Sequence, residues 1–146
     1  MPAASRGAVP PGDSVISLCP LGKQVVRQGA CVGITADALR VDDDGISVTW
    51  VEYFDEPPPA LQSAASEMKK SRKPTPTGVL ARANVGRILE VAMKLKNTFE
   101  VVHTPVDEND AHSSITGCPE TGPVKLALTR AFQEFIPNNE VPGFLG

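Results

Sequence analysis

Ile46-Ser47-Val48-Thr49-Trp50 is the stretch that decides the fold, because it carries the clearest strand pattern in the chain. Its apolar residues alternate with hydroxyl residues, which is the two-residue period of a strand with one buried face. Trp50 is the only tryptophan, and it lies close in sequence to Phe54 and to Tyr53, the only tyrosine. We expect these aromatic side chains to anchor a core, and a platform for a ligand is the alternative.

Periodic segments continue on both sides of this strand. Composition rich in β-forming residues predicts further strands over 15–18, 25–26, 31–34, 78–83, 99–103 and 113–116. Composition and apolar stripes at helical spacing predict helices over 60–70, 85–96 and 124–135. Asn84 is expected to cap the second of these helices, and a continuous helix from Val79 is the alternative.

These elements predict an α+β fold, with a small mixed or antiparallel sheet and two to three helices packed on one of its faces. The strands over 99–103 and 113–116 are expected to form a hairpin around a polar loop. Residues 1–13 combine Pro, Gly, Ala and Ser without periodicity, which predicts a flexible, disordered N-terminal tail. The predicted organisation is a single domain over 14–136, between that tail and a C-terminal tail over 137–146.

Composition limits the classes of function. A net charge of −3 over 146 residues gives no sign of a dedicated nucleic-acid binder. Cys19, Cys31 and Cys118 form no CxxC motif, which argues against a disulfide framework and against a structural zinc site. No apolar run approaches the roughly 18 residues of a membrane helix, and the first residues lack the apolar core of a signal peptide. We therefore expect a protein of the bacterial cytoplasm with reduced thiols and no membrane partner.

The polar loop 103–116 holds both histidines, His103 and His112, together with Asp107, Asn109 and Asp110. Titratable groups concentrate there, so chemistry or recognition is expected there. If the two strands bring the imidazoles to the same end of the hairpin, His112 would act as a general base with His103 or Asp110 in a small hydrolase. The same histidines and aspartates carry the atoms of a metal site, but no supporting partners are identifiable, so we expect no metal and no cofactor.

Three other features suggest chemistry more weakly. Cys118 follows the loop, but nothing around it resembles a catalytic cysteine motif, and we expect a small buried thiol. The basic loop 69–73 would contact phosphates, yet no aromatic residue is interleaved with its cations, so stacking on bases is unsupported. His112-Ser113-Ser114-Ile115 is similar to the His-x-Ser/Thr element of the two-histidine phosphoesterases, although that family requires a second such element far away in the chain.

A longer segment, His103-Thr104-Pro105-Val106-Asp107-Glu108-Asn109-Asp110-Ala111-His112, resembles an element of small uncharacterised bacterial proteins, His-Asp-Pro-x-x-x-Asn-x-Ala-His. The Leu-Ser-Val segment that precedes the element in those proteins is similar to the strand that ends at Trp50, and the likeness extends loosely over 45–130. Thr104 stands where those proteins usually have Asp, and Asp110 where they usually have Pro. The resemblance implies no activity, and it supports only the architecture and the location of the polar loop.

The favoured function is a non-enzymatic binding or accessory protein that uses loop 103–116 as its contact surface. The residues expected to bind are His103, Asp107, Asn109, His112, Trp50 and Tyr53. The partner is expected to be another protein or a small molecule, and a homodimer stays open. A hydrolase that uses His112 with His103 or Asp110, and nucleic-acid binding through 69–73, are the alternatives, so the sequence leaves open whether the chain is an enzyme.

Overall fold

The computed structural model describes residues 4–19, 25–28, 31–34, 39, 41–42, 45–54, 60–70, 73–74, 76, 78–119 and 122–145. Its strands are β1 (Ser14–Cys19), β2 (Val25–Gln28), β3 (Cys31–Ile34), β4 (Val41–Asp42), β5 (Gly45–Trp50), β6 (Val79–Asn84), β7 (Glu100–His103), β8 (His112–Thr116) and β9 (Phe132–Pro137). Its α-helices are α1 (Ala60–Lys69), α2 (Val85–Lys94) and α3 (Pro123–Thr129), and short 3₁₀ turns span Val51–Tyr53 and Asn138–Glu140.

Six strands form an antiparallel sheet in the order β7-β8-β5-β1-β6-β9, and β4 also pairs with β5. β2 and β3 pair only with each other in the part of the chain that the structure describes. The α+β class, the antiparallel sheet and the hairpin of β7 and β8 are confirmed. The strand predicted over 46–50, β5, lies inside the sheet between β8 and β1, as its buried apolar face requires.

The helices cover both faces of the sheet. On one face, Val15 and Val48 join a core with Ile88 of α2 and Leu128 of α3. On the other face, Ile16 joins a second core with Ala64, Ala65 and Met68 of α1 and with Leu80 of β6. Two of the three helices, α2 and α3, therefore pack on one face, as predicted, and α1 covers the other face. The central strands are apolar on both faces, as in β1 with Val15 and Ile16, and each face must be covered.

The predicted helix over 124–135 ends earlier than its apolar pattern indicates. Helix α3 stops at Thr129, whose hydroxyl donates to the carbonyl of Leu126, and the chain then turns into β9. Phe132, Phe135 and Ile136 pair with β6, which gives the backbone of β6 partners that a continued helix would not supply. Aromatic and β-branched residues favour that outcome once a strand edge is available.

The two predicted tails both contact the body of the protein where the structure describes them. At the N-terminus, the amide of Val9 donates to Val101 over 2.8 Å, and Gly7 accepts from the amide of His103 over 2.8 Å, so this segment lies along the outer edge of β7. At the C-terminus, Val141 and Phe144 are buried against the core that contains α1. Backbone pairing and a few apolar side chains hold both segments although their sequences show no periodic pattern.

Candidate functional site

The polar loop between β7 and β8 continues the hairpin ladder and closes on itself. The amide of Thr104 donates to the carbonyl of His112 over 2.9 Å, which extends the pairing beyond the strands. Val106 and Asn109 exchange two backbone hydrogen bonds of 3.1 Å each, which forms a tight turn at the tip. The loop therefore has a defined backbone, and its side chains are held at fixed positions.

His103 is fully buried, with 0% of its surface exposed, and both ring nitrogens are occupied. Nδ1 accepts a hydrogen bond from the backbone amide of Arg6 over 2.9 Å, so this nitrogen carries no proton. Nε2 therefore carries the proton and donates to the carbonyl of Asp110 over 2.6 Å. The ring thus joins the N-terminal segment to the polar loop, and it has no nitrogen left to abstract a proton from a substrate.

Asn109 is the second buried residue that holds the loop in place through hydrogen bonds. It is 3% exposed, its amide donates to Thr49 Oγ1 over 2.9 Å, and its side-chain oxygen accepts from the amide of Ala111 over 3.0 Å. The first bond reaches strand β5, so the tip of the loop is tied to the sheet. A buried amide with partners on both of its groups stabilises the loop and is withdrawn from recognition.

The ring of His103 packs against an aromatic cluster formed by Trp50 and Tyr53. The His103 ring lies 5.4 Å from the Trp50 ring and 5.1 Å from the Tyr53 ring, measured between centroids. The guanidinium carbon of Arg6 lies 4.2 Å from the Tyr53 centroid, within the range of a cation–π contact. Trp50 is buried, and its indole N–H donates to Asp13 over 2.9 Å. The cluster acts as a core anchor, and half-buried Tyr53 is capped by Arg6 of the same chain.

His112 points away from His103. His103 is paired with Ser113, the residue after His112, and successive residues of a strand face opposite sides of the sheet. The Nδ1–H of His112 donates to the carbonyl of Thr104 over 2.8 Å, with the Thr104 hydroxyl at 3.0 Å. Among the described residues nothing bonds to Nε2 of His112. The sheet therefore separates the two imidazoles, and they do not form one site.

The acidic residues of the loop lie on the protein surface. Asp107, Glu108 and Asp110 are exposed. The backbone amide of Asp110 donates to Glu67 on α1 over 3.1 Å, and Glu67 also accepts a 2.7 Å hydrogen bond from the ammonium group of Lys70. The hydrogen bond to Glu67 raises the pKa of Lys70, and the charge of Asp110 raises it further. These contacts connect the loop to the end of α1.

The described residues show no group of three or more His, Cys, Asp and Glu side chains that would hold a metal ion. Cys118 is buried, and its thiol donates to the carbonyl of Pro119 over 3.4 Å. Burial removes water from the thiolate and raises the pKa of Cys118, while the charge of Lys125 acts in the opposite direction. The environment of Cys118 does not favour a reactive thiolate.

The basic loop 69–73 is described only in part, because Ser71 and Arg72 lie outside the described residues. The ammonium group of Lys69 donates to the carbonyl of Gly143 over 3.0 Å, and that of Lys70 donates to Glu67. Two of the predicted phosphate-binding cations are therefore engaged with groups of the same chain.

A polar network that the sequence analysis missed lies where β1 and β6 meet. Glu52 accepts from the amide of Ser14 over 2.6 Å and from the Ser14 hydroxyl over 2.7 Å. Arg82 donates from Nη2 to Glu52 over 2.9 Å and from Nε to the Ser14 hydroxyl over 2.8 Å. These residues lie far apart in sequence, on β1, on β6 and in the turn after β5, so no local motif signals the network. It borders a surface cleft, described below.

Comparison of the chain with protein-family models, with curated proteins and with solved structures found no match. Among the described residues, no helix combines the length and the apolar character that crossing a bilayer demands.

Proposed function

We propose that this chain is a non-enzymatic binding or accessory protein of the bacterial cytoplasm, and that the outer residues of loop 103–116 contact a partner protein. The observation that carries the proposal is that the buried polar side chains of the loop form their hydrogen bonds within this chain. Both ring nitrogens of His103 and both side-chain groups of Asn109 bond within the chain. Their bonds fix the shape of the loop, so its exposed groups are presented in one conformation.

A loop that is ordered before binding loses little conformational entropy when it binds. At its tip, Val106 is 37% exposed and is followed by the exposed acidic residues Asp107 and Glu108. This arrangement combines a small apolar contact with a charged rim. A partner surface with a shallow apolar depression and basic residues around it would complement the tip.

Charge reversal at the tip tests this proposal. Glu108→Lys changes an exposed residue of the loop, and Glu90→Lys changes an exposed residue of α2 by the same charge. A partner is captured from the native host with the wild-type chain, purified, and titrated against all three proteins. We expect Glu108→Lys to weaken binding at least about ten-fold, because like charges would face each other, and Glu90→Lys to leave it unchanged.

Equal affinity of the two variants for the partner would place the contact surface elsewhere. Failure to capture any partner, together with measurable turnover of a small substrate, would refute the non-enzymatic role itself. Both variants should unfold at the wild-type temperature within a few degrees, since surface substitutions usually change stability by less than about 0.5 kcal/mol.

A second candidate function, a small hydrolase, is favoured by one observation. The hydrogen bond from His112 Nδ1–H to Thr104 orients a partly exposed ring whose Nε2 would then accept a proton. His103 is not available to assist, so this version of the hydrolase uses His112 alone or with Asp110.

The hydrolase predicts that His112→Gln abolishes hydrolysis of activated esters or phosphate esters while the folded state persists. Hydrolysis by His112→Gln at the wild-type rate would remove this candidate. Nucleic-acid binding through 69–73 stays a prediction, and it requires an affinity that falls steeply with salt concentration.

A further inference from the structure

A cleft of about 480 Å³ opens beside the polar network, where β1 begins and α2 starts. Its volume lies in the range of sites for small molecules, roughly 300–1,000 Å³. The cleft is separate from loop 103–116, and none of its lining residues belongs to that loop. Its walls are Gly12, Ser14, Glu52, Arg82, Asn84, Arg87, Ala131, Gln133 and Glu134.

Arg82 is the fixed element of this cleft. Its Nε bonds to the Ser14 hydroxyl and its Nη2 bonds to Glu52, so the plane of the guanidinium group is held from two sides. Glu52 is held in turn by the amide and the hydroxyl of Ser14. A guanidinium group that is already oriented loses little freedom when it binds a planar anion.

Two cationic donors of the cleft lack a short acceptor. Within the described part of the chain, Nη1 of Arg82 approaches only Glu134, at 3.7 Å, which is longer than a hydrogen bond. The guanidinium group of Arg87 has no partner among the described residues. Glu134 is 58% exposed on its side chain, so its carboxylate is able to turn towards solvent and leave Nη1 to another acceptor.

The first turn of α2 does not supply further donors. The amide of Val85 donates to Asp13, that of Gly86 to Pro11, and that of Arg87 to the side chain of Asn84. Recognition in this cleft therefore depends on the two guanidinium groups, with the exposed amide of Gln133 beside them.

We propose that the cleft binds a small organic molecule through a carboxylate group, which bridges Nη1 of Arg82 and the guanidinium group of Arg87. The approach of Glu134 to Nη1 marks where such a carboxylate sits. A phosphate group concentrates up to two negative charges on one centre, so the two glutamates on the cleft wall repel it more strongly than they repel a single carboxylate group, and this favours a carboxylate over a phosphate group. The site is independent of the proposed contact surface at loop 103–116.

The test is a calorimetric titration of the full chain with acetate, succinate and inorganic phosphate at constant ionic strength. We expect saturable binding of succinate, with phosphate weaker. Arg87→Gln should weaken succinate binding at least about ten-fold, because a charge-assisted pair is lost. Glu134→Gln should tighten it, because a competing carboxylate is removed. Lys94→Gln removes an exposed cation from the other end of α2 and should bind as the wild type does.

Several outcomes would overturn the proposal. One is a wild-type chain that binds none of the three anions saturably. Another is an Arg87→Gln variant with wild-type affinity for succinate, or a Lys94→Gln variant that loses as much affinity as Arg87→Gln, since the effect would then be one of overall charge. A third is stronger binding of phosphate than of succinate. None of these results bears on the partner titration with Glu108→Lys, so the two proposals fail separately.

Discussion

His103→Ala is expected to be among the most destabilising single substitutions in this chain, although a histidine in a polar loop suggests a surface role. The substitution removes two hydrogen bonds, to Arg6 and to Asp110, each worth about 1 kcal/mol net. It also removes ring contacts with Trp50 and Tyr53, worth about 0.5–1.5 kcal/mol each, and leaves a cavity in a fully buried position. The free energy of unfolding should fall by about 3–5 kcal/mol.

Urea unfolding measures this loss, because fluorescence of the single tryptophan, Trp50, reports directly on the cluster that contacts His103. The matched control is His112→Ala in the same loop, where the partly exposed ring bonds only to Thr104 in the described structure. His112→Ala should lower the free energy of unfolding by no more than about 1.5 kcal/mol. A loss below about 1 kcal/mol for His103→Ala, or equal losses for the two variants, would refute the structural role of His103.

Three further predictions rest on local geometry. Gly117→Ala should lower the free energy of unfolding by more than about 2 kcal/mol, because φ is +89° and the new Cβ would overlap the carbonyl of Thr98. Gly143→Ala, with φ at +74° but open space around the new Cβ, should lower it by about 1 kcal/mol, and thermal unfolding measures both changes. Asn84→Ala should cost about 1–2 kcal/mol, measured by urea unfolding, because it removes the helix cap on the amide of residue 87. Cys118 should react with iodoacetamide more slowly than glutathione at pH 8, as peptide mass mapping would measure, because its raised pKa lowers the thiolate fraction.

Local periodicity predicted those elements whose pattern is repeated over several turns or several alternations. β5 matches the segment 46–50, and α2 begins directly after Asn84, whose side chain accepts from an amide in the first turn. Both elements are specified by neighbouring residues. The segment after Thr129 is different, because its apolar residues fit a helical stripe and a strand equally well. Pairing with β6 decides the outcome, and that partner lies some fifty residues away in the chain.

The cleft lined by Ser14, Glu52 and Arg82 had no signal in the sequence for a related reason. The Ser14 hydroxyl and Glu52 are 38 residues apart, and Arg82 lies 68 residues from Ser14. They meet only because β1 lies between β5 and β6 in the sheet. Strand order is a property of the whole chain, so polar residues scattered over several strands form a visible site only once that order is known.

The relative position of the two histidines depends on the register of a single hairpin, that of β7 and β8. In the structure His103 is paired with Ser113, and the two side chains share one face. A shift of the pairing by one residue would set His103 directly opposite His112, on the same face, and would create the paired imidazoles of the two-histidine site considered from the sequence. The turn of Val106 with Asn109, and the hydrogen bonds of Asn109 to Thr49 and Ala111, hold the observed register. Asn109 therefore helps to keep the two histidines on opposite faces, and it also holds the tip in the conformation that we propose a partner recognises.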